Sequence, residues 1–365
     1  MTDTTIQIRD LSPPGEILAE AMEERGIQNA ELARRAGLSE KHVSQLINAR
    51  VPLSMDVALQ LERVLGIPAR LWINLEFNYR AEQKRDQLRA DMAGYAHWMR
   101  AFPVAAMRKA GYFGQATVGQ SVPDRVEALL EFFGVTSPRA WESEWAHATG
   151  RFRKSPRFNP DGRALTAWLR RAEIESAAIR CEGFRADRFR RVMQAARSLS
   201  TSAPEVFVPE LVSLCASSGV ALTLIPALPK LAISGVTRWK GPAKALVSLS
   251  LRHRSDDQLW FSFFHECCHV LEHKTKAIYI DSAADPDGDP VEQRANAFAR
   301  DVLIPPDDYA RLVQGGRPSL AAIKAFAVSI GISPGIVVGR LQHEGVLGHQ
   351  HGNGLKRRFA WEFEH

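Results

Sequence analysis

The stretch Trp-Phe-Ser-Phe-Phe-His-Glu-Cys-Cys-His-Val-Leu-Glu-His, residues 260–273, constrains this chain more than any other. It contains His-Glu-x-x-His at 265–269. On a helix, residues four apart share a face and are separated by about 6 Å along the axis. His265 and His269 can then both direct an imidazole at one metal ion. Glu266, one position after the first histidine, is placed to take a proton from a water that the ion has made acidic. Metal-assisted peptide hydrolysis needs these residue types at this spacing. A pattern with three fixed positions also recurs by chance in long chains, so its surroundings matter. Leu259, Phe263 and Val270 give the helix an apolar side, which predicts burial, and buried imidazoles and carboxylates need partners that an ion can supply. His273 continues the face but lies about 12 Å from His265 along the axis, too far to share the ion, and reads as a helix-end or supporting residue. Cys267 and Cys268 read as packing residues, since free cysteine is commonly buried, although Cys268 is placed to compete for a thiophilic metal.

A mononuclear site needs a third protein ligand and an open position. The candidate is Glu292, in the run from Asp289 to Pro306. Asp289 reads as an N-cap, Pro290 suits the first helical position, and Pro305 stops the helix. Glu292 also falls where a capping-box carboxylate sits, so spacing alone leaves cap and ligand open.

His-Glu-x-x-His followed by Glu292, Ala295, Asn296, Phe298, Ala299, Leu303 and Pro305 resembles the ImmA/IrrE family of metallo-endopeptidases. The resemblance implies metal ligands His265, His269 and Glu292, with Glu266 as general base. It implies zinc, with manganese as the alternative ion, and a peptidase that cleaves a protein such as a repressor. One departure is Cys268, where glycine is usual before the second histidine.

With 365 residues the chain has room for two or three domains, and 45% apolar residues can bury sizeable cores. It contains no run of 18 apolar residues and opens on a polar stretch, which predicts neither a signal peptide nor a membrane span. Four cysteines, two of them adjacent, do not resemble a disulfide framework, and a cytoplasmic protein with reduced thiols is expected. The net charge of +6 is uneven: residues 81–200 hold 21 Lys and Arg against 13 Asp and Glu, mainly at Arg151 to Arg157 and Arg185 to Arg197. Such a stripe either attracts phosphates or is a solvated helix face.

Residues 1–80 read as a helix-turn-helix domain. Ile17, Leu18, Ala21 and Met22 line one side of a helix from Pro14 to Glu24. A second helix spans Gln28 to Arg35, Gly37 makes the turn, and Ser39 caps a third helix from Glu40 to Ile47. Glu40, Lys41, His42, Ser44 and Gln45 would face outward. Lys and Gln suit base edges, whereas Ser39 and Asn48 suit phosphates. Glu40 would face phosphate, which favours the plainer reading of a small bundle with a polar face. Residues 11–79 resemble the HigA-like antitoxin branch of the Xre-type repressors, through Leu11-Ser-Pro-Pro-Gly-Glu, Ala30-Glu-Leu-Ala, Val43-Ser-Gln-Leu-Ile-Asn and Trp72-Ile-Asn-Leu. That resemblance implies a homodimer on palindromic operator DNA. Gln28 is a candidate contact, displaced by one because Asn29 stands where Gln usually precedes Ala-Glu-Leu-Ala.

Residues 81–200 read as a helical connector, 201–350 as the peptidase-like domain and 351–365 as a flexible tail. Strands are expected over 220–226, 234–239 and 244–251, forming a small sheet against the His-Glu-x-x-His helix. The loop Asp281, Asp285, Asp287, Asp289 reads as a surface loop rather than a Ca²⁺ site. The expected fold class is therefore multidomain: an all-α helix-turn-helix domain, a helical connector and an α+β metallopeptidase-like domain. Two functions are open. One is a DNA-binding regulator fused to a zinc endopeptidase that cuts a repressor or toxin–antitoxin component. The other is a regulator or antitoxin whose metal domain senses a ligand or partner without cutting.

Overall fold

The structure is a computed structural model, and it describes residues 12–114, 119–152, 162–272, 279–280 and 290–361. The chain divides into two compact units, Met1–Ala96 and His97–His365.

The first unit holds helices α1 (Pro14–Glu23), α2 (Asn29–Ala36), α3 (Glu40–Ile47), α4 (Met55–Leu65) and α5 (Ala69–Ala93). Leu18, Leu32, Val43, Leu46, Leu61 and Trp72 lie in its core, from the apolar sides of α1 to α5. Gly37 ends α2 at φ 71°, a left-handed position that costs glycine nothing. α1 lies so close to the end of α3 that a Cβ on Gly15 would stand 2.1 Å from the Ile47 carbonyl oxygen. The expected boundary after residue 80 falls inside α5. Residues 80–93 contain no Gly or Pro and consist mainly of strong helix formers, so the helix continues until Gly94. Arg80 fastens α5 to the turn beyond α3, donating from Nη2 to the Ala49 carbonyl at 3.1 Å.

α6 (Ala96–Arg100) starts at the last residue of the first unit, and the second unit continues with α7 (Val104–Lys109), α8 (Val122–Phe133) and α9 (Pro138–Phe152). Ser121 and Asp124 close a capping box at the start of α8. Next come α10 (Gly162–Ala178), α11 (Ala186–Ser198) and α12 (Pro204–Ser217). A four-stranded sheet of order β1-β3-β2-β4 follows, from β1 (Val220–Leu224), β2 (Gly235–Trp239), β3 (Ala245–Leu249) and β4 (Tyr279–Ile280). β1 pairs parallel with β3, and β2 runs antiparallel to both β3 and β4. The three expected strands are present, each shorter than its apolar run, and β4 is an addition that no periodicity announced.

α13 (Asp256–Glu272) carries the His-Glu-x-x-His sequence and packs on β2 and β3, with α14 (Pro290–Leu303) along its flank. Val220, Leu222, Val247 and Leu249 share one buried cluster with Phe263, Phe264 and Cys267 of α13. α10 packs on β1 as well, and Trp168 donates from Nε1 to the Ile225 carbonyl at 3.2 Å. The later part of the expected connector therefore shares the sheet on which α13 packs. α15 (Pro306–Val313), α16 (Leu320–Ile330) and α17 (Pro334–His343) complete the unit.

The expected flexible tail is a packed strap as far as Trp361. Asp256 and Asp257, buried in the first turn of α13, require partners, and the C-terminal segment supplies them. Lys356 Nζ lies 2.6 Å from Asp257 Oδ2, and the Arg357 amide donates to Asp256 Oδ1 at 3.1 Å. Arg357 also donates to the carbonyls of Ser200 and Ser202. Ser255 bridges Arg358, and Phe359 is buried against Phe207. The polar, glycine-rich composition of 348–354 concealed this, because it describes the approach to the strap and not its anchor. Residues 362–365 lie outside the described residues.

Candidate metal centre and nucleic-acid interface

α13 is buried along nearly all of its length, polar side chains included. His265 and Glu266 are completely buried, and His269 is 1% exposed. Helical spacing brings the two Nε2 atoms to 3.1 Å. Glu292, in the first turn of α14, reaches across. Its Oε2 lies 3.0 Å from His265 Nε2 and its Oε1 3.5 Å from His269 Nε2. Ala295 and Ala299, both fully buried on α14, allow this close approach of the two helices. Asn296 stands one turn after Glu292 with Oδ1 2.9 Å from His265 Nδ1. A hydrogen bond donated from Nδ1 leaves the Nε2 lone pair directed at the cluster.

His265, His269 and Glu292 form a group whose ligand atoms all lie within 4.8 Å of one another. Around an ion with bonds of about 2.0–2.1 Å at tetrahedral angles, ligand atoms stand roughly 3.3–3.4 Å apart. The three separations fit that geometry, and two imidazoles with one carboxylate suit a divalent zinc-like ion. Burial pushes the Glu292 carboxyl up, but hydrogen bonds and charge from His265 and His269 outweigh it and bring it to about 2. Cys268 is not in the group. Burial, with the charges of Glu272 and Glu292, pushes its thiol up to about 12. Cys267 lies in the core cluster, and burial pushes its thiol up as well. His273, the expected cap Asp289 and the aspartates from Asp281 to Asp287 lie outside the described residues.

Glu266 lies beside the group, with its carboxylate against β2. Thr237 donates from Oγ1 to Glu266 Oε2 at 2.6 Å, and a Cβ on Gly235 would stand 2.6 Å from Glu266 Oε1. Nothing in the sequence pointed to Gly235 or Thr237, which sit in a short strand with no chemical motif.

In the first unit, Lys41, Ser44, Gln45 and Asn48 share one face of α3. Lys41, Ser44 and Asn48 are exposed and Gln45 half-buried. Gln28 and Glu40 are exposed, and His42 is half-buried. The structure gives Ser39 and Asn48 local partners as well. Ser39 Oγ accepts from the His42 amide at 3.1 Å, and Asn48 Nδ2 donates to the Ser44 carbonyl at 2.7 Å. In the stripe from Arg185 to Arg197, Arg197 is half-buried, whereas Arg185, Arg188, Arg190 and Arg191 are exposed. Arg197 donates to the carbonyls of Leu303 and Ile330, and Arg188 donates to that of Ser217. Arg185 and Arg191 pair with Asp187. Residues 153–157 of the other basic stretch lie outside the described residues.

Residues 18–72 match the helix-turn-helix family, and residues 242–342 match the family described as the IrrE N-terminal-like domain. The chain joins a helix-turn-helix domain to an IrrE-like domain. The matched IrrE-like segment contains α13 and α14, with all three residues of the group and Glu266. The helix-turn-helix part is similar to the uncharacterized HTH-type transcriptional regulator YddM of Escherichia coli, 29% identical over 63 residues, which are 17% of this chain and 67% of that protein. It is also similar to a solved HigA-family addiction module antidote protein from Coxiella burnetii, at 26% identity over 22% of this chain and 87% of that one, with a TM-score of 0.21. A further similar structure is the antitoxin GraA, at 30% identity over 24% of this chain and 95% of that one, with a TM-score of 0.23. Among the described residues no single helix is long and apolar enough to cross a membrane.

Proposed function

We propose that this chain is a DNA-binding regulator that carries its own zinc-dependent endopeptidase. The helix-turn-helix domain binds a palindromic operator as a homodimer in the cytoplasm, with α3 in the major groove. Lys41 and Gln45 meet base edges, while Gln28, Ser39, His42, Ser44 and Asn48 line the approach to phosphates and Glu40 lies at the margin. The IrrE-like domain cleaves a protein partner, a repressor or a toxin–antitoxin component.

The observation that carries the peptidase reading is the convergence of His265, His269 and Glu292 beside the buried carboxylate of Glu266. His265, His269 and Glu292 would hold the ion, which supplies Lewis-acid activation of water and of the scissile carbonyl. Asn296 orients the His265 ring. Glu266 takes the proton from the attacking water and returns it to the leaving amine. The apolar packing of α13 keeps bulk water from the base.

Glu266→Gln tests this reading, since it keeps the side-chain shape and removes the basicity. Metal should stay bound, while the partner's cleavage and the resulting change in promoter output fall by about 10²–10⁴-fold. Full output from the Glu266→Gln protein in cells, with metal retained, would replace the peptidase by a sensor that responds without cutting.

A further inference from the structure

The IrrE-like match begins at residue 242, yet the carboxylate of Glu266 rests on a strand that precedes it. β2 is an interior strand, held in register by β3 on one side and β4 on the other. Residues two apart in a strand face the same way, so Gly235 and Thr237 both face α13. Thr237 is fully buried, and its Oγ1 stands 2.6 Å from Glu266 Oε2 and 3.2 Å from the Glu266 carbonyl. A Cβ on Gly235 would lie 2.6 Å from Glu266 Oε1, 2.8 Å from its Cγ and 3.0 Å from its Cδ. Gly235 has no positive φ to explain it, so the bare Cα serves this close approach.

We propose that Gly235 and Thr237 are the positioning residues of the general base. The inference rests on the reading of Glu266 given above. The terminal torsion of a glutamate is broad and does not by itself fix the two oxygens. A hydroxyl on a β-branched side chain, itself restricted at χ1, selects one oxygen and stops that rotation. The missing Cβ at Gly235 sets how near the carboxylate lies to the strand. Together they present the base in one orientation without touching the metal ligands, and they place a requirement for catalysis outside the matched segment.

A double-mutant cycle in metal-free, full-length protein decides whether the seat exists. All eight tryptophans except Trp72 lie in the second unit, so urea unfolding followed by tryptophan fluorescence reads that unit. Thr237→Val should lower the folded-to-unfolded ratio about tenfold or more with Glu266 present, where it removes the buried hydroxyl's contacts with both the carboxyl and the carbonyl of residue 266. In the Glu266→Ala background, where only the contact with the residue-266 carbonyl remains, the loss should be smaller by about fivefold or more. Equal losses in both backgrounds overturn the proposal. In the zinc-loaded chain with casein as probe, Thr237→Val and Gly235→Ala should lower kcat on the order of 10²-fold, with KM and zinc content unchanged. Thr237→Ser should stay within about threefold of wild type, because it keeps the hydroxyl. Wild-type kcat in both variants also overturns the proposal, and where wild type leaves casein uncut the cycle alone decides. An active Glu266→Gln protein would instead remove the general-base reading, whereas an inactive one without coupling in the cycle removes only the seat.

Discussion

The carboxylate of Glu292 faces two imidazoles from a position where a helix cap would also sit, and metal content distinguishes the two roles. Its folded pKa, about 2, lies below the ordinary 4.5. A depressed carboxyl contributes stability that is present above the ordinary value and lost as pH falls toward the folded one. Metal-free wild type should therefore lose stability between about pH 4.5 and 2, and Glu292→Gln should flatten that loss, as read by melting temperature across the pH series. The same variant should deplete bound metal in elemental analysis. A residue that only capped α14 would cost about 1 kcal/mol and leave the metal in place. Cys268, by contrast, is held in its thiol form by burial and carries no such expectation.

At the scale of elements, α3 and α13 place chemistry by opposite means. α3 is short and exposed along one side, so its side chains are available and its stability comes from Val43 and Leu46 beneath. Lys41→Ala and Gln45→Ala should weaken operator binding and relax its sequence preference, measured by electrophoretic mobility shift. The Lys41 variant should also make log Kd less steep in log salt by about one unit if that side chain neutralises a phosphate. Unchanged affinity and preference in both would exclude α3 as the reader. α13 is buried, and its acidic first turn is clasped from two directions. A Cβ on Gly335 would stand 2.3 Å from Asp256 Oδ1, and one on Gly339 2.5 Å from Asp257 Oδ2. Gly339→Ala should therefore destabilise the second unit by about 1–3 kcal/mol, as overpacking does, with a lower urea midpoint at constant slope.

For the whole molecule, the second unit closes through its C-terminal strap. Truncation after Gly352 removes Lys356 and Arg357 and leaves Asp256 and Asp257 buried without those partners. Breaking buried ion pairs on one side costs about 3–5 kcal/mol, so the truncated chain should lose the fluorescence transition of the second unit and its metal. The DNA binding proposed for the first unit should persist, because none of that unit's core residues lies beyond residue 96. A truncated chain that binds zinc and melts as wild type would show the strap to be dispensable.

The parts legible from sequence alone are those that local geometry dictates. Residues four apart on a helix must share a face, so His265, Glu266 and His269 declare themselves without a structure. Ser39, Gly37 and the apolar stripes of α1 to α4 do the same for the helix-turn-helix, since caps and turns depend on neighbours within a few residues. Other features required two distant segments to meet. Spacing left Glu292 between cap and ligand, and the packing of α14 on α13 brought its carboxylate to the imidazoles. Composition left the arginines of α11 between a phosphate-binding stripe and a solvated face, and only the fold takes Arg197 to the carbonyls of Leu303 and Ile330 and Arg188 to that of Ser217. Gly235 and Thr237 stand 31 and 29 positions before Glu266, and Lys356 stands 99 after Asp257. No periodicity spans such intervals. Which faces come together is decided by the burial of whole elements, and only the folded chain contains that information.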